Sequence, residues 1–72
     1  MATVYYTKAD SRTPEFNVGV YVGIMSKKDA KEYVKTHNEN LTDSEKEDYV
    51  EYDYLQKDYS EDDFYNLNEN DN

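Results

Sequence analysis

A chain of 72 residues without a single cysteine must hold its fold together with one small hydrophobic core. Domains of this size usually add disulfides, a structural metal or self-association. Disulfides and thiolate zinc sites are excluded here, and the lone His37 cannot build a histidine metal site. The chain therefore reads as one acidic domain over residues 1–67, with an acidic tail at 68–72 that is expected to fray. No cofactor is expected.

The pattern of apolar residues indicates which elements build that core. Residues 2–8 are rich in β-branched and aromatic types and predict a strand. Asp10, Ser11 and Pro14 predict a turn. From Phe16 to Met25, Val18, Val20, Val22 and Ile24 alternate with Asn17, Gly19, Tyr21 and Gly23, the period of a half-buried strand. Gly19 and Gly23 fall opposite the valines, where they admit close packing of another element or mark a bulge. The two strands are expected to pair as an antiparallel hairpin.

Ser26, with Asp29 three residues on, signals a helix N-cap, and the helix is expected over 27–37. Its apolar stripe is Ala30, Tyr33, Val34 and His37; Lys27, Lys28, Lys31 and Lys35 lie off it. Thr42 and Glu45 match a capping box for a short helical turn to about Glu47. Residues 49–55 fit both a strand and a helix template, and their β-favouring residues favour strand. Ser60 and Asp63 predict a last short helix over 61–66. The order β-β-α-β plus a C-terminal helical turn is an α+β fold, a small antiparallel sheet with one packed helix. One sheet face is then left open, lined by Tyr5 or Tyr6, Tyr21 and later tyrosines. A homodimer formed over it would supplement the thin core.

Charge dominates the functional reading. The net charge is −9, and it is unevenly placed: residues 1–36 carry +2 and residues 37–72 carry −11. Such a split points to an acidic surface or tail, and its repulsion excludes nucleic acid or an anionic membrane as a direct ligand of the second half. Disordered acidic tails are poor in aromatics, whereas Tyr49, Tyr52, Tyr54, Tyr59, Phe64 and Tyr65 are interleaved with these acids, which implies folded surface. The first residues lack the basic start and apolar stretch of a signal peptide, and no apolar run approaches the roughly 20 residues of a membrane span. A soluble intracellular chain is the expectation.

Enzyme chemistry finds little footing. Nucleophilic catalysis needs a base beside Ser or Thr, and His37 lies at a predicted helix end where capping or packing is its ordinary role. General acids need a sheltered pocket that so short a chain can hardly build. The acid runs 43–48 and 58–63 lack the glycine of a calcium loop, and Lys46 intrudes on the first. The chain is read as a binding protein, not an enzyme.

What remains is the acidic array. On a strand, Glu51 and Asp53 point the same way about 6.6 Å apart; on a helix, i and i+4 neighbours lie about 5–6 Å apart. Both spacings are of the order of phosphates along one nucleic-acid strand, which repeat about every 3.4 Å of axis. Glu45, Glu47, Asp48, Glu51, Asp53, Asp58, Glu61, Asp62 and Asp63 are the candidate partner-binding residues, set to occupy the lysines and arginines of a DNA-binding protein.

In its small size, acidity, tyrosine content and lack of cysteine, the chain resembles the early host-takeover proteins of bacteriophages, several of which are DNA mimics. Within that group it is similar in size and charge to the Bacillus phage inhibitor of the nucleoid protein HU. The resemblance implies a DNA-mimic inhibitor in the cytoplasm of a host bacterial cell, blocking the DNA-binding surface of HU or of another DNA-binding enzyme. The alternative is an interaction adaptor or oligomerising structural protein that uses a sheet edge and the tyrosine face.

Overall fold

The β-branched run at the start of the chain becomes the central strand of the sheet. The computed structural model describes residues 1–13 and 15–69. Its elements are β1 (Ala2–Ala9), β2 (Asn17–Met25), α1 (Lys27–Glu39), α2 (Asp43–Glu47), β3 (Glu51–Leu55) and α3 (Glu61–Glu69). The strands form one antiparallel sheet in the order β2-β1-β3, an α+β fold. The β1–β2 reversal is stabilised locally: Asp10 Oδ1 accepts from the Arg12 N–H at 2.9 Å, and the Asp10 N–H donates to the Phe16 carbonyl at 2.9 Å. Pro14, assigned to the same turn from sequence, lies outside the described residues.

One feature of β2 departs from simple alternation. Tyr5 pairs with Tyr21 and Val4 with Gly23, so Val22 is an extra residue, a β-bulge. Past the bulge every side chain changes face. Val22 and Met25 pack against the core of Ala2, Val4 and Ala30, whereas Ile24, expected inside, is 40% exposed. Gly23 consequently sits on the Val4 side and meets nothing, while Gly19 stays opposite the valines.

Helix α1 forms as its cap and stripe predict. Ser26 Oγ accepts from the Asp29 N–H at 3.1 Å, and Ala30 is buried against the sheet with Tyr33 and Val34 packed beside it. The helix runs two residues beyond the expected end before Asn40 stops it, with its side-chain amide on the Thr36 carbonyl at 2.8 Å. His37 packs: its ring stacks on Tyr33 at 3.8 Å and approaches Tyr52 at 4.9 Å.

Helix α2 carries the complete capping box of Thr42 and Glu45. It ends in a Schellman motif, with Val50 N–H on the Glu45 carbonyl at 3.0 Å and Tyr49 N–H on the Lys46 carbonyl at 3.1 Å. That motif requires a left-handed residue, and Tyr49 supplies it with φ 57°. Residues 51–55 are then strand rather than helix, because β1 offers them a ladder from Thr7↔Glu51 to Thr3↔Leu55.

The expected open face is partly covered. Helix α3 runs to Glu69, past the predicted end at 66 and into the segment expected to fray; residues 70–72 lie outside the described residues. Phe64 is the anchor, 5% exposed, with ring centroids 5.3 Å from Tyr5 and 5.7 Å from Tyr21. Gly19 permits this approach, since a Cβ there would meet the Phe64 ring at 3.3 Å. Two side chains lead the chain across the sheet. The buried Thr3 hydroxyl donates to the Lys57 carbonyl at 2.6 Å and accepts from the Tyr59 N–H at 2.8 Å. The Tyr21 hydroxyl then donates to the Tyr59 carbonyl at 2.8 Å. The result is three layers: α1, the sheet, and α3 over its β2 side. Tyr5 and Tyr21 thus lie beneath α3, whereas Tyr6, Tyr52 and Tyr54 alternate onto the α1 face.

Candidate acidic interface

Strand β3 divides its side chains between the two faces. Tyr52 and Tyr54 turn to α1; Glu51 and Asp53 turn to the α3 side, opposite Thr7 and Tyr5 of the central strand. Because α3 lies over β2, these two carboxylates remain exposed. The chain then delivers Asp58 to the linker and Glu61, Asp62 and Asp63 to the first turn of α3, all exposed. Ser60 Oγ accepts from the Asp63 N–H at 3.2 Å and holds that turn. Acids suit a helix start, where the unpaired N–H groups present partial positive charge.

Six of the nine candidates therefore gather on or beside the α3 side of the sheet. Glu47 and Asp48 are exposed at the α2–β3 corner, beside Lys8, Ala9 and Asp10. Glu45 is the exception. It is half-buried on the α1 side, where Oε1 accepts from the Thr42 N–H at 2.9 Å and Oε2 from the Tyr52 hydroxyl at 3.2 Å. The Thr42 backbone bond, above all, holds the Glu45 carboxyl below its ordinary pKa. Burial, reinforced by Glu45, pushes the Tyr52 phenol up to about 12. Glu45 is a capping residue, and its oxygens are already engaged.

The remaining carboxylates have little internal compensation. Among the described residues the one ion pair joins Asp58 to the N-terminal ammonium of Met1 at 3.5 Å, and both groups are exposed. No lysine or arginine among the described residues pairs with an acid; Lys57 instead lies over the Tyr59 ring at 5.5 Å. Lys27, Lys28, Lys31 and Lys35 are exposed along α1, the helix on the opposite sheet face.

Beside α3, over the sheet, lies a groove of about 770 Å³, lined chiefly by Tyr5 and Thr7 of β1, Asn17 and Gly19 of β2, Leu55 of β3, and Phe64 and Leu67 of α3. Sequence reasoning did not locate it. Gly19 was its one sequence signal, as a position where another element approaches a strand. The Tyr5 phenol in this groove has a raised pKa, first from burial and then from the charges of Asp53 and Glu51.

Both sheet edges carry partial blocks. On β3, the Asn38 side chain receives the Tyr52 N–H at 2.8 Å and donates to its carbonyl at 3.0 Å, in the manner of a neighbouring strand. Asp53 Oδ1 accepts from the Tyr54 N–H at 2.8 Å. On β2, the Tyr21 N–H is taken by the Tyr65 hydroxyl at 3.1 Å.

Among the described residues no three His, Asp or Glu side chains converge as metal ligands would, and no helix is long and apolar enough to cross a membrane. Comparison with protein-family models, curated proteins and solved structures finds no match for this chain.

Proposed function

We propose that this chain is an acidic DNA mimic that occupies the DNA-binding surface of a basic protein, with the nucleoid protein HU as first target, and competes with DNA. The observation that carries the reading is the exposed set Glu51, Asp53, Glu61, Asp62 and Asp63 on folded elements, none of them paired with a lysine or arginine among the described residues. Carboxylates that are not neutralised internally keep their field for a partner, which steers encounter and makes association fast and salt-sensitive. Asp58, Glu47 and Asp48 extend the array. Glu45 supports it from behind by capping α2 and orienting Tyr52.

Strand addition at β3, the mode an adaptor would use, is disfavoured because Asn38 already occupies the backbone groups of Tyr52. A tyrosine-face oligomer is likewise less supported, because Phe64 packs against Tyr5 and Tyr21 and covers part of that face.

The experiment is displacement of a labelled DNA duplex from purified HU, followed by fluorescence anisotropy across a salt series. Displacement should be strong at low salt and weaken steeply between about 50 and 200 mM. Glu51→Lys with Asp53→Lys should lower the apparent affinity by at least about 100-fold, the scale of like-charge juxtaposition. Lys27→Ala and Lys28→Ala should change it little. Salt-independent binding, or full activity of the double reversal, refutes the reading.

A further inference from the structure

Charge does not explain the aromatic groove beside the array. Its floor is the central strand, where Tyr5 and Thr7 face α3. Phe64 and Leu67 of α3, Asn17 and Gly19 of β2 and Leu55 of β3 complete its lining. Leu67 is 39% exposed and Tyr65 40%, so apolar surface remains open to solvent in a chain whose core is small. At about 770 Å³ the groove belongs to the size class that receives a ligand or a short chain segment rather than a single side chain.

Its surroundings define the chemistry of an occupant. Asp53 stands directly opposite Tyr5 in the strand register and Glu51 opposite Thr7, so both carboxylates border the floor. On the α3 side, Asp63 lies one turn before Leu67, and the two share an adjoining recess with Asp58 and Lys57. Acids thus flank apolar surface on two sides. A neutral apolar peptide would leave them unused, and a purely cationic one would leave the aromatics wet. Proteins that bend DNA combine the two features the groove lacks: apolar side chains that wedge between base steps, and Lys or Arg that contact the flanking phosphates.

We infer that the groove beside α3 receives the apolar side chains of a basic strand or loop of the target, while Glu51, Asp53 and Asp63 take its flanking lysines or arginines. The aromatic slot stands in for an opened base step as the carboxylates stand in for phosphates. This inference rests on the DNA-mimic reading and specifies which part of the target docks. The Tyr5 phenol, raised first by burial and next by the charges of Asp53 and Glu51, supports it, because their field reaches the groove floor.

Two substitutions that leave the charge unchanged provide the test. Asn17→Trp fills the groove from an exposed position at the start of an edge strand, and Leu67→Ser removes apolar wall near the end of α3. Thermal melts verify that each variant folds; Leu67→Ser, at a partly exposed site, remains informative if the tryptophan is not accommodated. In the HU displacement assay each variant should lose about tenfold or more in affinity, as for loss of one buried apolar anchor, with the salt slope unchanged. The amide NMR signals of Gly19, Phe64 and Leu67 should shift when HU is added to the full chain. If the native protein displaces DNA but both variants match it, the groove assignment is overturned and the mimic reading stands. If the native protein does not bind HU, the choice of target fails, and the groove is tested with two synthetic peptides. One alternates lysine with leucine and isoleucine; the other replaces the apolar residues with serine. Shifts at the groove amides with the first peptide alone support the inference, and equal or absent shifts overturn it.

Discussion

Thr3→Val tests how the fold presents Asp58 and the acids at the start of α3. Thr3 is fully buried, and its hydroxyl bridges the Lys57 carbonyl and the Tyr59 N–H at 2.6 and 2.8 Å. Valine fills nearly the same volume, so no cavity contribution arises and the change isolates the hydroxyl. Each bond contributes about 0.5–1.5 kcal/mol net. Lys57 is exposed and Tyr59 half-buried, so the released backbone groups recover part of their solvation, and the loss should be about 2 kcal/mol. For a domain this small that lowers Tm by roughly 8–16 °C. Urea unfolding should show a lower midpoint with an unchanged m-value. Thr3→Ser keeps the oxygen and loses one methyl, about 1 kcal/mol, and should fall between the two. Amide exchange at 57–61 should quicken in Thr3→Val while α1 stays protected, because the hydroxyl ties the linker to the central strand. Stability within about 0.5 kcal/mol of the native protein, or a serine variant weaker than the valine one, would refute this account.

Other expectations follow from single residues. Tyr49→Gly relieves a left-handed backbone cost of about 1–2 kcal/mol against about 0.5–1 kcal/mol of added chain entropy, so stability should rise by about 0.5–1 kcal/mol in urea melts. The side chain is 76% exposed, so little packing is lost. With the Tyr52 pKa raised to about 12, the folded state favours the neutral phenol. That contribution is complete below the unfolded phenol pKa near 10 and disappears as pH climbs through the folded value. Tyr52→Phe should therefore soften the alkaline loss of Tm, and an ultraviolet titration should lose its latest-titrating phenol. The Glu45 pKa is lowered, so its contribution is present above the unfolded carboxyl pKa of about 4.3 and is lost as pH falls through the folded value. Glu45→Gln preserves the capping pattern and should flatten that part of the acid denaturation curve; an unchanged curve would count against the assignment.

Local rules made much of the fold legible in the sequence. Ser26, Thr42 and Ser60 are read as caps because their oxygens bond N–H groups three residues away. The stripe from Ala30 to His37 repeats at the helical period, and the charge imbalance needs no coordinates. Such features depend on neighbours within one or two turns. The bulge at Val22 is different: it is visible only as a register between two strands, yet it reverses the facing of Ile24 and Met25. Which strand is central, and that α3 lies over β2 rather than β3, depend on contacts such as Thr3 with Tyr59 and Gly19 with Phe64, far apart in the chain. Sequence alone determined that this chain carries a strong acidic charge on folded elements, because composition and period are local. The tertiary structure decided which carboxylates share a surface, removed Glu45 from it and opened an aromatic groove beside it, because long-range packing sets the face on which each side chain emerges.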